Sequence, residues 1–250
     1  MRCAGLFLIV QPDKAVLLCA NRSYCGHVRH TSRSVDAFRA TNFLEKISIP
    51  RGKRDGRDIF DYETAVREFI EETGCVFESA YVYRAPFVLH WQDAGVTYTY
   101  SIYVGVTVGA ALKQVAREPN TFCVKLQRGR AAAADQNIYR VNIEKRRFNN
   151  EIARRLYILS LDRYFQYMNE KQLVTYDSSN YLDFFIFVRA VKREFDSGET
   201  LNFFCLSLQL ETLAAGLDER KRDKWRPPSS ARPNYVAATR QALREIGTIV

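Results

Sequence analysis

The sequence predicts an α+β fold followed by a helical C-terminal part, and three observations support this prediction. Residues 76–143 contain runs in which β-branched and aromatic residues alternate with small polar ones, as in half-buried strands. Residues 61–73 place apolar side chains at helical spacing, and a helical period returns from Phe148 onward. We therefore expect a first domain at residues 1–147 and a helical region at residues 148–250.

The composition of the chain limits the protein classes to which it can belong. Of its 250 residues, 47% are hydrophobic and 13% aromatic, which excludes a wholly disordered or collagen-like chain. Lysine and arginine number 37 against 28 acidic residues, so the net charge is +9. This excess favours a polyanionic partner, although a solvated basic surface would also explain it.

Neither a membrane span nor a disulfide framework is expected. The longest early apolar run, Ala4 to Val10, is far shorter than the roughly 20 residues that a membrane helix needs. The six cysteines are scattered without paired spacing, which is typical of reduced thiols. A zinc site is disfavoured because its candidate ligands are irregularly spaced; they are Cys19, Cys25, His27 and His30.

Two hairpins are expected in the first domain. Residues 6–10 and 16–20 are apolar runs on either side of a Pro-Asp turn, and residues 21–45 resemble a loop or insertion. Residues 87–89 and 96–104 form the second pair, with a turn at residues 92–95.

The C-terminal region carries apolar residues at intervals of three and four, which predicts helices there. A Pro-rich stretch at residues 226–233 precedes a last short helix at residues 235–246. The apolar positions are Ile152, Leu156, Leu159, Leu161 and Phe165, then Leu182, Phe185, Ile186 and Val188, then Leu201, Phe204, Leu208 and Leu213.

One predicted helix concentrates negative charge. We expect Asp61 to cap it and Gly74 to end it. Glu68, Glu71 and Glu72 then lie on one face within a single turn, where they repel one another near the negative end of the helix dipole. Arg67 can relieve one of these charges, and oxygen ligands of this kind suit Mg²⁺ or Mn²⁺. The alternative is an ordinary acidic helix face exposed to solvent.

The segment from Gly52 to Cys75 resembles the signature of the Nudix hydrolase family. Its second half, from Arg67 onward, matches at every fixed position. Its first half is one residue longer, and Ile59 stands where the signature has a glutamate, so Asp58 or Asp61 is expected to replace it. The resemblance implies an α/β/α sandwich with a mixed sheet, and metal-dependent hydrolysis of nucleoside diphosphates linked to another group.

The resemblance also implies roles for particular residues. Gly52, Glu68, Glu71 and Glu72 would form the metal site, and Arg67 would orient a glutamate. The general base is left open between Glu68 and a carboxylate of a later loop, such as Asp135 or Glu144.

Within the family, the sequence is similar to the mRNA-decapping enzymes of large DNA viruses such as African swine fever virus and iridoviruses. Residues 50–53, Pro-Arg-Gly-Lys, and residues 90–98 carry this similarity. It implies capped RNA as the substrate and the cytoplasm of an infected host cell as the location. A diphosphoinositol polyphosphate or dinucleoside polyphosphate hydrolase is the alternative enzyme, and an RNA-binding module with a degenerate signature is the alternative of another class.

A decapping enzyme would need an RNA track and a pocket for the cap. We expect a basic helix after the catalytic fold to bind RNA, unless it is an ordinary solvated helix face. The candidate RNA-binding residues are Arg51, Lys53, Arg140, Lys145, Arg146, Arg147, Arg154 and Arg155. Trp91 and Tyr98 are candidates for stacking on the methylated base, although aromatic residues more often belong to the core.

Overall fold

A mixed sheet separates one helix from two others in the described part of the computed structural model of this protein. The structure describes residues 3–20, 49–93, 95–107, 112–115, 122–130, 136–145, 154–169 and 178–211. The strands are β1 (Cys3–Val10), β2 (Lys14–Ala20), β3 (Arg51–Lys53), β4 (Cys75–Val76), β5 (Ser79–Tyr83), β6 (Phe87–Asp93), β7 (Val96–Thr107), β8 (Lys113–Gln114), β9 (Phe122–Arg128), β10 (Gln136–Lys145), β11 (Arg154–Ser160), β12 (Ser178–Ser179) and β13 (Phe203–Leu210). The helices are α1 (Asp61–Thr73), α2 (Leu161–Tyr167) and α3 (Tyr181–Asp196).

The main sheet places the short strand β3 beside the start of the chain. Its principal order is β11-β2-β1-β7-β5-β13-β10-β9, with β3 paired to β1 and β6 paired to β7 and β12. β1 is parallel to β7 and β10 to β13, whereas the other pairs of this sheet are antiparallel. Gly52 lies opposite Ala4 in the β1–β3 pair, and the loop 54–60 then leads directly into α1.

Alternate residues of β1 face the two sides of the sheet. Leu6 and Leu8 pack in one buried cluster with apolar side chains of α1, such as Phe69. Phe7 and Ile9 pack in a second cluster that contains the inward faces of α2 and α3. Because a strand presents alternate side chains to opposite faces, the sheet has a helical layer on each side. The fold is therefore the α/β/α sandwich with a mixed sheet, as predicted.

Both predicted hairpins are confirmed. β1 and β2 pair as antiparallel strands, and so do β6 and β7. The second turn contains Gly95 at a φ of 76°, a left-handed conformation that glycine adopts without steric cost. The predicted insertion at residues 21–45 lies outside the described residues, and with it Cys25, His27 and His30 of the disfavoured zinc site.

The prediction of a helical C-terminal region is correct for α2 and α3 but wrong for two segments. Residues 154–160 form β11, which pairs with β2, and residues 203–210 form β13, which pairs with β5 and β10. In β13 the side chains of Phe204, Leu206 and Leu208 are buried in turn, with the period of two that is typical of a strand. Leu201, expected on the same apolar face, is 92% exposed.

The two predicted parts of the chain contribute to one sheet. β11 and β13 come from beyond residue 147, yet each pairs with strands from the first part. Ile152, Leu213 and the predicted last helix at residues 235–246 lie outside the described residues. Among the described helices, none has the length and hydropathy required to cross a membrane.

Candidate active site

Helix α1 is fixed at both ends by local contacts. The prediction that Asp61 caps it is wrong, because Asp61 is already its first residue. The Glu63 carboxylate instead accepts hydrogen bonds from the backbone N–H groups of Ile59 and Phe60. The predicted stop is confirmed, since Gly74 has a φ of 66° and donates its N–H to the carbonyl of Ile70 at 2.9 Å.

The centre of the site is the buried guanidinium of Arg67. It contacts three carboxylates, at 3.1 Å for Asp58, 2.8 Å for Glu68 and 3.3 Å for Glu71. Its Nη2 also donates to the backbone carbonyl of Lys53 at 2.8 Å. Burial by itself would lower the pKa of Arg67, but the hydrogen bond to Asp58 and the surrounding negative charges raise this pKa above its ordinary value. Arg67 therefore stays charged and orients two of the three glutamates.

Of the two aspartates that could replace the missing glutamate of the signature, Asp58 is the one that contacts Arg67. It is buried, and besides Arg67 it accepts hydrogen bonds from the hydroxyl of Thr64 at 2.8 Å and the N–H of Asp55 at 3.0 Å. The other candidate, Asp61, pairs instead with Arg54 at 3.6 Å. Ile59 is 65% exposed. The longer loop thus shifts the carboxylate by one position and keeps its contact with Arg67.

Backbone donors from two strands hold two further glutamate oxygens. The N–H of Arg51 in β3 donates to Glu72 Oε2 at 2.8 Å, and the N–H of Val124 in β9 donates to Glu71 Oε1 at 2.7 Å. Hydrogen bonds to a carboxylate are stronger than neutral ones and fix its orientation. The contribution of Val124 could not be predicted from the sequence, because a backbone donor leaves no signal in the residue type.

Gly52 lies directly against the Glu68 carboxylate. A Cβ atom added to Gly52 would collide with that carboxylate, so no other residue fits at this position without moving Glu68. The structure therefore places Gly52 of β3 against Glu68 of α1, and this close approach explains why β3 contains glycine at this position.

The donor chemistry of this site suits a divalent cation. All of its acidic ligands are oxygen donors, which Mg²⁺ and Mn²⁺ prefer. The network around Arg67 contains three carboxylates and one guanidinium, which leaves two negative charges for further cations. Over the residues that the structure describes, no three His, Cys, Asp or Glu side chains already surround a common point as metal ligands. By the family resemblance, Gly52, Glu68, Glu71 and Glu72 would hold the ion, and this assignment stays a prediction.

The predicted cap-stacking residues lie in one aromatic cluster. The ring of Trp91 stacks on Tyr98 at 5.1 Å between centroids and on Tyr100 at 5.2 Å. The guanidinium of Arg51 lies 5.6 Å from the Trp91 ring and 5.2 Å from the Tyr100 ring. A base held between two rings needs them about 7 Å apart, twice the usual carbon contact distance, so Trp91 and Tyr98 as placed do not form such a slot. Trp91 is 3% exposed and Tyr98 is 38% exposed, so Tyr98 is the more accessible of the two.

The predicted basic helix after the catalytic fold is wrong where the structure describes it. Arg140 and Lys145 belong to β10, whereas Arg154 and Arg155 belong to β11, which lies near the other end of the sheet order. Arg140 is exposed and pairs with Glu211 at 3.7 Å. Of the other candidates, Lys53 is exposed at the end of β3, whereas Arg146, Arg147 and the catalytic candidate Asp135 lie outside the described residues.

A hydrogen-bonded pair that the sequence did not suggest anchors α1 to the sheet. The hydroxyl of Tyr139 in β10 donates to the Glu63 carboxylate at 2.6 Å, and both residues are buried. Burial and these hydrogen bonds raise the pKa of Tyr139, so its hydroxyl remains protonated and able to donate. The only signal in the sequence was a glutamate at the third position of the helix.

Comparison with known proteins identifies close relatives in two polyhedrosis viruses. Protein ADP-ribose pyrophosphatase ORF38 of Autographa californica nuclear polyhedrosis virus is 53% identical over 206 residues, which cover 82% of this chain and 91% of the relative. The uncharacterized 24.3 kDa protein of Orgyia pseudotsugata multicapsid polyhedrosis virus is 56% identical with the same coverage. No protein-family model matches the chain. The closer similarity to African swine fever virus and iridovirus enzymes stays a prediction.

Among solved structures, a Nudix hydrolase from Nitrosomonas europaea is similar over 80% of this chain and 92% of its own. The TM-score is 0.36 and the sequence identity 15%.

Proposed function

This chain belongs to the Nudix hydrolase family. On that premise we propose that it hydrolyses the pyrophosphate bond of a nucleoside diphosphate joined to a sugar. ADP-ribose is the first candidate substrate because the name of the ORF38 relative specifies an ADP-ribose pyrophosphatase. The observation that carries the proposal is the Arg67 network, in which Asp58 replaces the missing glutamate of the signature. This replacement argues against the alternative of a degenerate signature in a module that only binds RNA.

The proposed reaction is a displacement at phosphorus. A water oxygen forms a bond to one phosphorus of the diphosphate, and the bond from that phosphorus to the bridging oxygen breaks. ADP-ribose and water thus give AMP and ribose 5-phosphate. When bound, Mg²⁺ or Mn²⁺ would neutralise the phosphate oxygens and lower the pKa of the attacking water.

The residues of the chain contribute positioning. Arg67 orients Glu68 and Glu71, while the N–H groups of Arg51 and Val124 orient Glu72 and Glu71. Oxygen atoms fixed in advance need no reorganisation as charge develops during the reaction, and this preorganisation accelerates it.

Glu68 is our proposed general base. It belongs to the Arg67 network and is partly exposed, so water can reach its carboxylate. Glu144, the other described candidate, is exposed on β10 and forms an ion pair with Lys125 of β9. That ion pair belongs to the surface of the β9–β10 hairpin rather than to the Arg67 network.

Decapping of mRNA is the second candidate function. Two observations favour it. The net charge of +9 is larger than a small nucleotide substrate requires, and it suits a long polyanion such as RNA. Lys53, which follows Gly52 in β3, is exposed. A cap and ADP-ribose share the chemical feature that the site would act on, a phosphoric anhydride bond next to a nucleoside.

One substrate panel tests the proposal. ADP-ribose, a cap-labelled RNA and a diphosphoinositol polyphosphate are offered with Mg²⁺ or Mn²⁺ to the wild type and to Glu72→Gln. We expect AMP and ribose 5-phosphate from the wild type, a decrease of at least about 100-fold in kcat for Glu72→Gln, and no turnover in EDTA. Glu199→Gln, at an exposed position after α3, is the matched control and should keep wild-type activity.

The products distinguish the candidates. Release of a methylated guanosine diphosphate without cleavage of ADP-ribose would replace the first candidate with decapping. Turnover of the diphosphoinositol polyphosphate alone would favour the alternative enzyme, a diphosphoinositol polyphosphate hydrolase. Wild-type activity in Glu72→Gln would refute the proposed site.

A further inference from the structure

Two large apolar side chains are exposed next to the Arg67 network. Ile59 is 65% exposed and Phe60 is 40% exposed. They directly follow Asp58, which contacts Arg67, and directly precede the first residue of α1. Exposed apolar side chains beside a reactive site are typical of a binding surface.

Phe60 is part of an ordered aromatic stack. Its ring stacks on Tyr62 at 5.2 Å between centroids, with an angle of 7° between the planes. Tyr62 is held in turn by Phe204, at 5.0 Å, and by a hydrogen bond between its hydroxyl and that of Tyr139 at 3.0 Å. The orientation of the Phe60 ring is therefore set by the core beneath it.

An arginine completes the arrangement. The guanidinium of Arg128, at the end of β9, lies 5.5 Å from the centroid of the Phe60 ring and donates to the side-chain oxygen of Asn137 at 3.1 Å. Arg128 is exposed, and so are Arg57 in the loop before α1 and Arg130 after β9. We call Phe60, Tyr62 and Arg128 the Phe60 platform.

We propose that the Phe60 platform binds a nucleobase together with its adjacent phosphate. An aromatic ring for the base and guanidinium groups for the phosphate are the combination by which proteins bind single-stranded nucleic acids without base-specific contacts. Stacking of a base on an aromatic ring is stronger than an exposed cation–π pair, so a base can displace Arg128 from the ring and leave its guanidinium for the phosphate.

Such a base has two possible sources. It belongs either to the nucleotide substrate, in which case the inference rests on the proposed function, or to a single-stranded RNA chain, in which case it does not. The experiment therefore has one arm for each source.

In the RNA arm, binding of a short fluorescein-labelled single-stranded RNA without a cap is followed by anisotropy. We expect Phe60→Leu to weaken binding about tenfold, because it keeps an apolar side chain but removes the aromatic face. Arg128→Gln should reduce the slope of log affinity against log salt by about 0.7, the value for one phosphate contact to a single strand. The matched controls are Leu201→Ala and Arg193→Gln, two exposed positions near the end of α3.

In the substrate arm, KM and kcat for ADP-ribose are measured for the same variants. A raised KM with unchanged kcat in Phe60→Leu, and unchanged RNA binding, would assign the platform to the substrate base. If Phe60→Leu and Arg128→Gln bind RNA more weakly than the wild type, and the wild type hydrolyses none of the offered substrates, the proposed role of the platform is supported and the proposed function is refuted. Wild-type RNA affinity together with wild-type KM in both Phe60→Leu and Arg128→Gln would overturn the inference, provided that both variants melt at the wild-type temperature.

Discussion

Arg67 shows how one buried side chain can organise several acidic residues. A buried charge is costly unless it is paired and hydrogen-bonded, and Arg67 meets this condition through Asp58, Glu68, Glu71 and the carbonyl of Lys53. The arrangement makes the glutamates and Arg67 mutually dependent. A change at any one of them therefore affects the stability of α1 as well as the chemistry.

Asp58 and Asp61 provide a matched test of this network, because the same substitution removes one negative charge in each case, from the loop before α1 at Asp58 and from the first residue of α1 at Asp61. We expect Asp58→Asn to lower the free energy of unfolding by about 2 kcal/mol, since it weakens the buried hydrogen bonds to a charged group. Asp61→Asn should cost under about 1 kcal/mol, because its ion pair with Arg54 is partly exposed. Urea unfolding measures both values.

The activity of the same two variants provides a second readout. Asp58→Asn should lower kcat for ADP-ribose about tenfold or more through the misplaced Arg67, whereas Asp61→Asn should leave kcat unchanged. Equal losses in the two variants, or a larger loss in Asp61→Asn, would contradict the assignment of Asp58 to the position of the missing glutamate.

At the scale of elements, α1 is held by strands on both of its flanks. β3 supplies the N–H of Arg51 to Glu72, β9 supplies the N–H of Val124 to Glu71, and β10 supplies the hydroxyl of Tyr139 to Glu63. The helix thus has a fixed rotation about its axis, with its acidic face at Gly52 and its apolar face in the core.

Tyr139→Phe tests whether the contact with β10 holds the start of α1. The substitution keeps the ring but removes the donor to the buried Glu63 carboxylate, and we expect a loss of about 1–3 kcal/mol in unfolding free energy. Tyr81→Phe is the control, since the Tyr81 ring is only partly buried and packs on Phe195 in the other cluster. A loss no larger in Tyr139→Phe than in Tyr81→Phe would show that the contact is dispensable.

The same elements show how far the sequence allowed prediction. α1 and both hairpins were predicted correctly because local periodicity and turn residues determine them. β13 was missed because Phe204 and Leu208 are four residues apart, a spacing that suits a helix and a strand alike. Its identity comes from pairing with β5 and β10, which are distant in sequence. The choice of Asp58 over Asp61 likewise depends on the path of the loop.

At the scale of the whole molecule, the late strands complete the sheet that supports the site. β13 lies between β5 and β10, and β11 covers the edge of β2. α2 and α3 supply Tyr164 and Phe184 to the cluster that covers one face of β1. A sheet that lacks these elements would expose both an apolar face and unpaired strand edges.

Truncation tests whether the first predicted domain, residues 1–147, folds on its own. We expect this fragment to lack a cooperative unfolding transition and to aggregate, because removing β13 separates β5 from β10 and leaves the hydrogen-bonding groups of both strands unpaired. Urea unfolding followed by circular dichroism, with the full chain as the control, measures the difference. The opposite outcome would be a soluble fragment that has a single cooperative transition and the ADP-ribose activity of the full chain. It would establish residue 147 as a domain boundary. It would also show that the sheet is stable without the late strands.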